Sequence, residues 1–79
     1  MREKTLQLMS RQGCHLCQHA EHMLRAQNAV FTVLDIDQSS ALQARYGVLV
    51  PVVYCPESDQ ELLYPFNTEQ LAVWLAEQA

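Results

Sequence analysis

The spacing of apolar positions changes period several times along the chain, and each change predicts an element. Residues 5–9 alternate, with Leu6 and Leu8 on one face, as a short strand does. Over residues 14–27 the spacing becomes helical, with Leu16, Ala20, Met23, Leu24 and Gln27 along one side. Val30-Phe31-Thr32-Val33-Leu34 is β-branched and aromatic, which predicts a second strand ending at Asp35-Ile36-Asp37. Asp37 or Ser39 can cap a second helix of about two turns, with Leu42 and Tyr46 inward and Gly47 as its stop.

Residues 48–55 form an apolar run broken by Pro51, which has no N–H to give a sheet ladder. Pro51 therefore opens the strand Val52-Val53-Tyr54-Cys55 and does not sit inside it. Residues 56–60 read as a hairpin connection that returns through Leu62-Leu63-Tyr64. The last helix carries a capping box: Asn67 at the N-cap, Gln70 three positions on, and a Phe66–Leu71 staple. Leu71, Trp74 and Leu75 form its inward stripe. The predicted order is β-α-β-α-β-β-α, an α/β fold with a four-stranded mixed sheet covered by helices on both faces.

Seventy-nine residues, of which 49% are apolar and only two are glycine, are expected to form one domain over residues 1–79. The three cysteines are an odd number, which argues against a secreted disulfide framework. Met1-Arg2-Glu3-Lys4-Thr5 leads into alternation and not into a leader-like apolar run, and no window reaches membrane-spanning length. A cytoplasmic protein with no membrane partner is expected. With a net charge of −4 and five Lys plus Arg, a nucleic-acid partner is not expected either.

The chemistry concentrates at Cys14-His15-Leu16-Cys17. A CxxC between a strand and a helix puts both thiols at the helix's first turn, where unpaired N–H groups and the dipole favour a thiolate. On the helical wheel Cys14 faces solvent and Cys17 borders the apolar side, as an accessible attacker and a shielded resolver require. His15, His19 and His22 share the polar side. His15 and His19 have the i, i+4 spacing of a metal pair, although a solvated face is the expectation. A protonated His15 would stabilise the Cys14 thiolate, and Arg11 is the nearest cation in sequence. Cys55 is expected in the core, as free cysteines usually are.

The element order, the CxxC opening the first helix and Val50-Pro51 opening the third strand together resemble the glutaredoxin branch of the thioredoxin fold. The chain looks most like the short glutaredoxin-like proteins. That resemblance implies that Cys14 is the attacking thiol, Cys17 the resolving thiol and Pro51 a cis proline beside the disulfide. It further implies that Arg11 meets a glutathione carboxylate and that the Val50 backbone receives a bound peptide or glutathione. The sequence departs from the pattern at Leu49, where Thr is usual, at His15, where proline is usual, and at residues 64–68, where a Gly-Gly-Asp clamp is missing.

The expected function is dithiol–disulfide exchange by a monomer. Its substrate would be a protein disulfide or a glutathione mixed disulfide, and an unidentified reductase would recharge it. No resident cofactor or metal is expected, glutathione entering only as a co-substrate. Two other readings use the same residues: a thioredoxin-fold binding module without turnover, and a metal or iron–sulfur carrier through Cys14.

Overall fold

The computed structural model describes residues 5–78 and contains β1 (Leu6–Ser10), α1 (His15–Ala26), β2 (Phe31–Asp35), a 3-10 turn (Ile36–Gln38), α2 (Ser40–Tyr46), β3 (Val52–Cys55), β4 (Gln60–Leu63) and α3 (Thr68–Gln78). The expectation made on residues 1–4 lies outside the described residues. Among those described, no helix is long and apolar enough to cross a membrane.

The sheet order is β2-β1-β3-β4. β1 pairs in parallel with β2 and antiparallel with β3, and β3 continues antiparallel to β4. Because side chains alternate across a sheet, this register sorts the apolar residues into two cores. Leu6, Leu8, Val53 and Cys55 point to one face, where Ala20, Met23 and Leu24 of α1 and Leu71 and Trp74 of α3 cover them. Met9 and Val52 point to the other face and pack with Ile36 and Tyr46. The sheet is mixed and both its faces are covered, as the strand patterning requires.

α1 differs from the sequence expectation in one position, and α2 decides between the two caps expected for it. Leu16 does not join the inward stripe of α1; it is 51% exposed, and Cys17 takes the buried place one residue later. From α1, Ala20, Met23 and Leu24 join the buried cluster that Leu71 and Trp74 of α3 complete. Asp37 caps nothing; it lies in the 3-10 turn that Asp35 caps, and Ser39 caps α2 through its hydroxyl and the Leu42 N–H at 3.2 Å. Gly47 ends α2 in right-handed geometry. A Cβ there would stand 2.7 Å from the Gln43 carbonyl oxygen, so close approach requires the glycine, not an unusual φ. The box on α3 forms as the spacing predicts: the Asn67 N–H donates to Gln70 Oε1 at 2.8 Å and the Gln70 N–H to Asn67 Oδ1 at 2.7 Å.

α2 is tied to the sheet by a polar cluster. The buried Tyr46 hydroxyl donates to Glu61 on β4, and Arg45 pairs with the same carboxylate at 3.0 Å. The Arg45 guanidinium lies over the Tyr46 and Tyr54 rings at 5.2 and 5.8 Å. Burial first, then the hydrogen bond to Glu61, pushes the Tyr46 phenol from 10.0 up to about 12.

Leu24 has 0% exposure, so Leu24→Ala should lower the unfolding free energy by about 2–5 kcal/mol in a urea titration. Leu16→Ala, on the exposed turn, should stay within about 0.5 kcal/mol of the parent. A second expectation concerns alkali. The folded state holds the Tyr46 proton more tightly than the unfolded chain does. That stabilisation is complete below pH 10.0 and is lost as pH rises through about 12. Tyr46→Phe should flatten the alkaline decline of stability, leaving the part due to Tyr54, which its hydrogen bond to Asp59 raises.

Candidate redox site

Strand directions decide which loops can meet. Ser10 pairs with Asp35 in the parallel ladder, so residues 11–14 and 36–39 leave the sheet at one end. Met9 pairs with Val52 and Val52 with Leu63, so residues 47–51 enter and residues 64–67 leave at that same end. Arg11, Cys14, Val50 and Pro51 all lie on these segments.

The chain turns from β1 into α1 through Gly13, whose φ of +73° suits glycine and would strain an L side chain. Cys14 follows as N-cap, with extended backbone at φ −95° and ψ 106°. Its carbonyl accepts the Gln18 N–H at 3.1 Å, and its Sγ accepts the Cys17 N–H at 3.1 Å. A sulfur thus fills the capping role usually taken by a Ser or Asp oxygen. Cys14 and Cys17 are disulfide-bonded with Cα atoms 5.2 Å apart, inside the ordinary span for such a bridge. Cys14 is half-buried, whereas Cys17 is only 2% exposed beneath the first turn.

Pro51 is buried and the Val50–Pro51 peptide is cis; Val50 is half-buried. The Tyr64–Pro65 peptide is cis as well, a feature absent from the sequence expectations. His15 is exposed, as are His19 and His22 farther along α1. Among the described residues, no group of three or more His, Cys, Asp or Glu side chains is disposed to hold a metal ion. Cys55 lies in the core at 0% exposure, on the covered face of β3.

Arg11 has a partner that the sequence reading did not assign. Its Nε donates to both Asp37 carboxylate oxygens, at 3.2 and 3.1 Å, and its Nη1 donates to the Gly47 carbonyl at 3.1 Å. One guanidinium therefore joins the loop before Cys14 to the 3-10 turn and to the end of α2. The signal for Asp37 was present, since a parallel β1–β2 pair brings the residues after both strands to one edge. Its detection needed the register. Three apolar side chains on the segments at this end of the sheet are exposed, Leu16 at 51%, Val48 at 96% and Leu49 at 43%.

Comparison with known proteins agrees with this geometry. No curated protein matches the chain. The chain is similar to the Northeast Structural Genomics target protein XcR50 from X. campestris. Against its X-ray structure the TM-score is 0.84 at 38% identity, covering 91% of this chain and 96% of that one. Against its solution structure the TM-score is 0.81 at 38% identity, covering 91% and 92%. It is also similar to the NMR structure of protein Ne2328 from Nitrosomonas europaea, with TM-score 0.78, 26% identity, and 94% and 93% covered. The model of the family described as Glutaredoxin-like domain (DUF836) matches residues 5–76, nearly the whole chain. A thioredoxin-like fold with a CxxC at the head of its first helix therefore places this chain in the glutaredoxin-like domain family.

Proposed function

We propose that the chain is a dithiol–disulfide oxidoreductase that works in the cytoplasm as a monomer, with Cys14 as nucleophile and Cys17 as resolving thiol. The observation that carries this reading is the asymmetry of the pair: the N-cap sulfur is half-buried while its bonded neighbour is almost fully covered. Once reduced, Cys14 sits at the positive end of a 12-residue helix with the Cys17 N–H directed at it. Both features favour the thiolate, the nucleophilic form.

In the reductive direction the Cys14 thiolate attacks one sulfur of a substrate disulfide. The substrate S–S bond breaks, a Cys14–substrate disulfide forms, and the departing thiolate takes a proton from solvent. Cys17 then loses its proton and attacks Cys14 Sγ, which restores the Cys14–Cys17 bond and frees the second substrate thiol. Two electrons pass from the dithiol to the substrate, and a separate dithiol or glutathione reductant must return them. Burial of Cys17 keeps the resolving sulfur from competing for substrate.

His15 adjoins the nucleophile and, when charged, adds a second stabilising field to that of the helix. Val50 supports the substrate-binding half of the reading. Among the described residues, no backbone hydrogen bond reaches its N–H or C=O, so both can pair with an extended segment laid beside Cys14. Exposed Leu16, Val48 and Leu49 supply apolar contact for that segment. A binding module without turnover would use this same surface and would differ only in what happens to the sulfurs.

Insulin reduction with dithiothreitol as the electron source tests the proposal. Wild type should accelerate it and Cys14→Ser should return it to the uncatalysed rate. Cys17→Ser should accumulate a mixed disulfide with substrate, visible by mass spectrometry, without catalytic turnover. A wild type that accelerates nothing would leave the binding module as the better account. For His15, alkylation of reduced protein by iodoacetamide is the readout. His15→Ala should slow reaction at Cys14 across a pH series. An unchanged rate profile there would remove His15 from the mechanism.

A further inference from the structure

The described residues contain three arginines, and each is already held by a carboxylate of the same chain. Arg11 pairs with Asp37 at 3.1 Å, Arg25 with Glu21 at 2.6 Å and Arg45 with Glu61 at 3.0 Å. The whole chain carries a net charge of −4. The pairs on α1 and between α2 and β4 stabilise surface structure. The Arg11–Asp37 pair is different, because it lies among the loops that carry Cys14 and Pro51.

A guanidinium binds carboxylates through parallel N–H groups, and it is the side chain best shaped to receive an anionic ligand. In Arg11 that edge is taken: Nε reaches both Asp37 oxygens, at 3.2 and 3.1 Å, and Nη2 stands 3.1 Å from Oδ1. Nη1 is turned to the Gly47 carbonyl at 3.1 Å. Asp37 is itself fixed in place. Its N–H donates to Asp35 Oδ1 at 2.9 Å, and Gln43 Nε2 reaches its carbonyl at 3.2 Å and its Oδ1 at 3.4 Å. An incoming carboxylate must displace a pre-positioned internal one and then tolerate its negative charge nearby. The exposed apolar residues on the segments at this end of the sheet, Leu16, Val48 and Leu49, offer such a ligand no charge to pair with.

Resting on the exchange reading of Cys14 and Cys17, we propose that Asp37 sets the substrate class. By occupying Arg11 it turns away small anionic disulfides, those of glutathione included, and leaves the site to protein disulfides in uncharged or apolar segments. Asp37 acts through Arg11 and touches no reacting atom, so it is a positioning residue.

The test compares kcat/KM for two substrates of one neutral peptide, its glutathione mixed disulfide and its intramolecular disulfide. Wild type should favour the intramolecular disulfide. Asp37→Asn keeps an acceptor for Arg11 and Gln43 but removes the charge. It should shift the ratio toward the glutathione substrate by about fivefold, the upper range for an exposed ion pair, chiefly through KM. The gain should fade in high salt, because screening weakens attraction to the uncovered Arg11. The double variant Arg11→Gln/Asp37→Asn should lose the gain. Glu21→Gln changes the net charge equally while uncovering Arg25 instead, and it should leave the ratio where wild type has it.

An Asp37→Asn ratio equal to wild type overturns the inference. So does an equal shift in Glu21→Gln, which would report net charge alone, or a gain that survives loss of Arg11. In each of these cases a wild type active on the intramolecular disulfide leaves the exchange reading standing. A wild type inactive on both substrates removes the two together.

Discussion

Hydrogen bonding along both edges of β1 is the constraint on which the site depends. Its parallel ladder to β2 and antiparallel ladder to β3 decide that the chain leaves β1, leaves β2 and enters β3 at one end of the sheet. With that register, residues 11–14, 36–39 and 47–51 have no choice but to meet. A shift of one residue in either ladder would carry Leu8 and Met9 to the wrong faces and uncover both cores. The same alternation that buries Leu8 with Val53 and Met9 with Val52 therefore fixes the end of the sheet at which the disulfide lies. Packing and the placement of the sulfurs share one geometric specification.

The residues nearest the reactive pair are arranged around charge. The helix that begins after Cys14 presents its positive end to the sulfur, and β1 hands the chain to that helix through Arg11. Were Arg11 unpaired, this end of the sheet would carry a guanidinium open to any passing anion. With Asp37 bound to it, the backbone at the start of α1 remains as a source of positive field at Cys14. Backbone dipoles are fixed by the fold.

Much of this was legible in the sequence because it rests on local rules. Val52–Cys55 follows directly from a proline that cannot pair inside a ladder, and the Asn67–Gln70 box from a three-residue spacing. The order of elements and the mixed sheet follow from the same reasoning. Where the reading missed, the deciding contact was distant. Leu16 has the right helical phase for the core, but what packs against each turn of α1 is a tertiary matter. Of the two caps that the sequence offers for α2, Ser39 takes the role; what the sequence did not show is the ion pair of Asp37. Its partner, Arg11, is 26 positions away and is reached only through the β1–β2 register. The apolar rim of Val48 and Leu49 read as strand approach, since hydrophobic residues before a strand carry no mark that distinguishes exposure from burial.

A redox pair that cycles must be able to open without unfolding its host, and the sequence separation of the cysteines addresses that requirement. A bridge between residues three apart closes so short a loop that the chain-entropy account gives it about 2 kcal/mol, the low end for disulfides. That is comparable to burying one leucine, and this chain buries two apolar clusters that do not use the bridge. The head of α1 is also capped by Cys14 itself, whose Sγ and carbonyl accept the Cys17 N–H and the Gln18 N–H. The bridge is therefore a small part of what holds the fold together, as the proposed exchange chemistry requires.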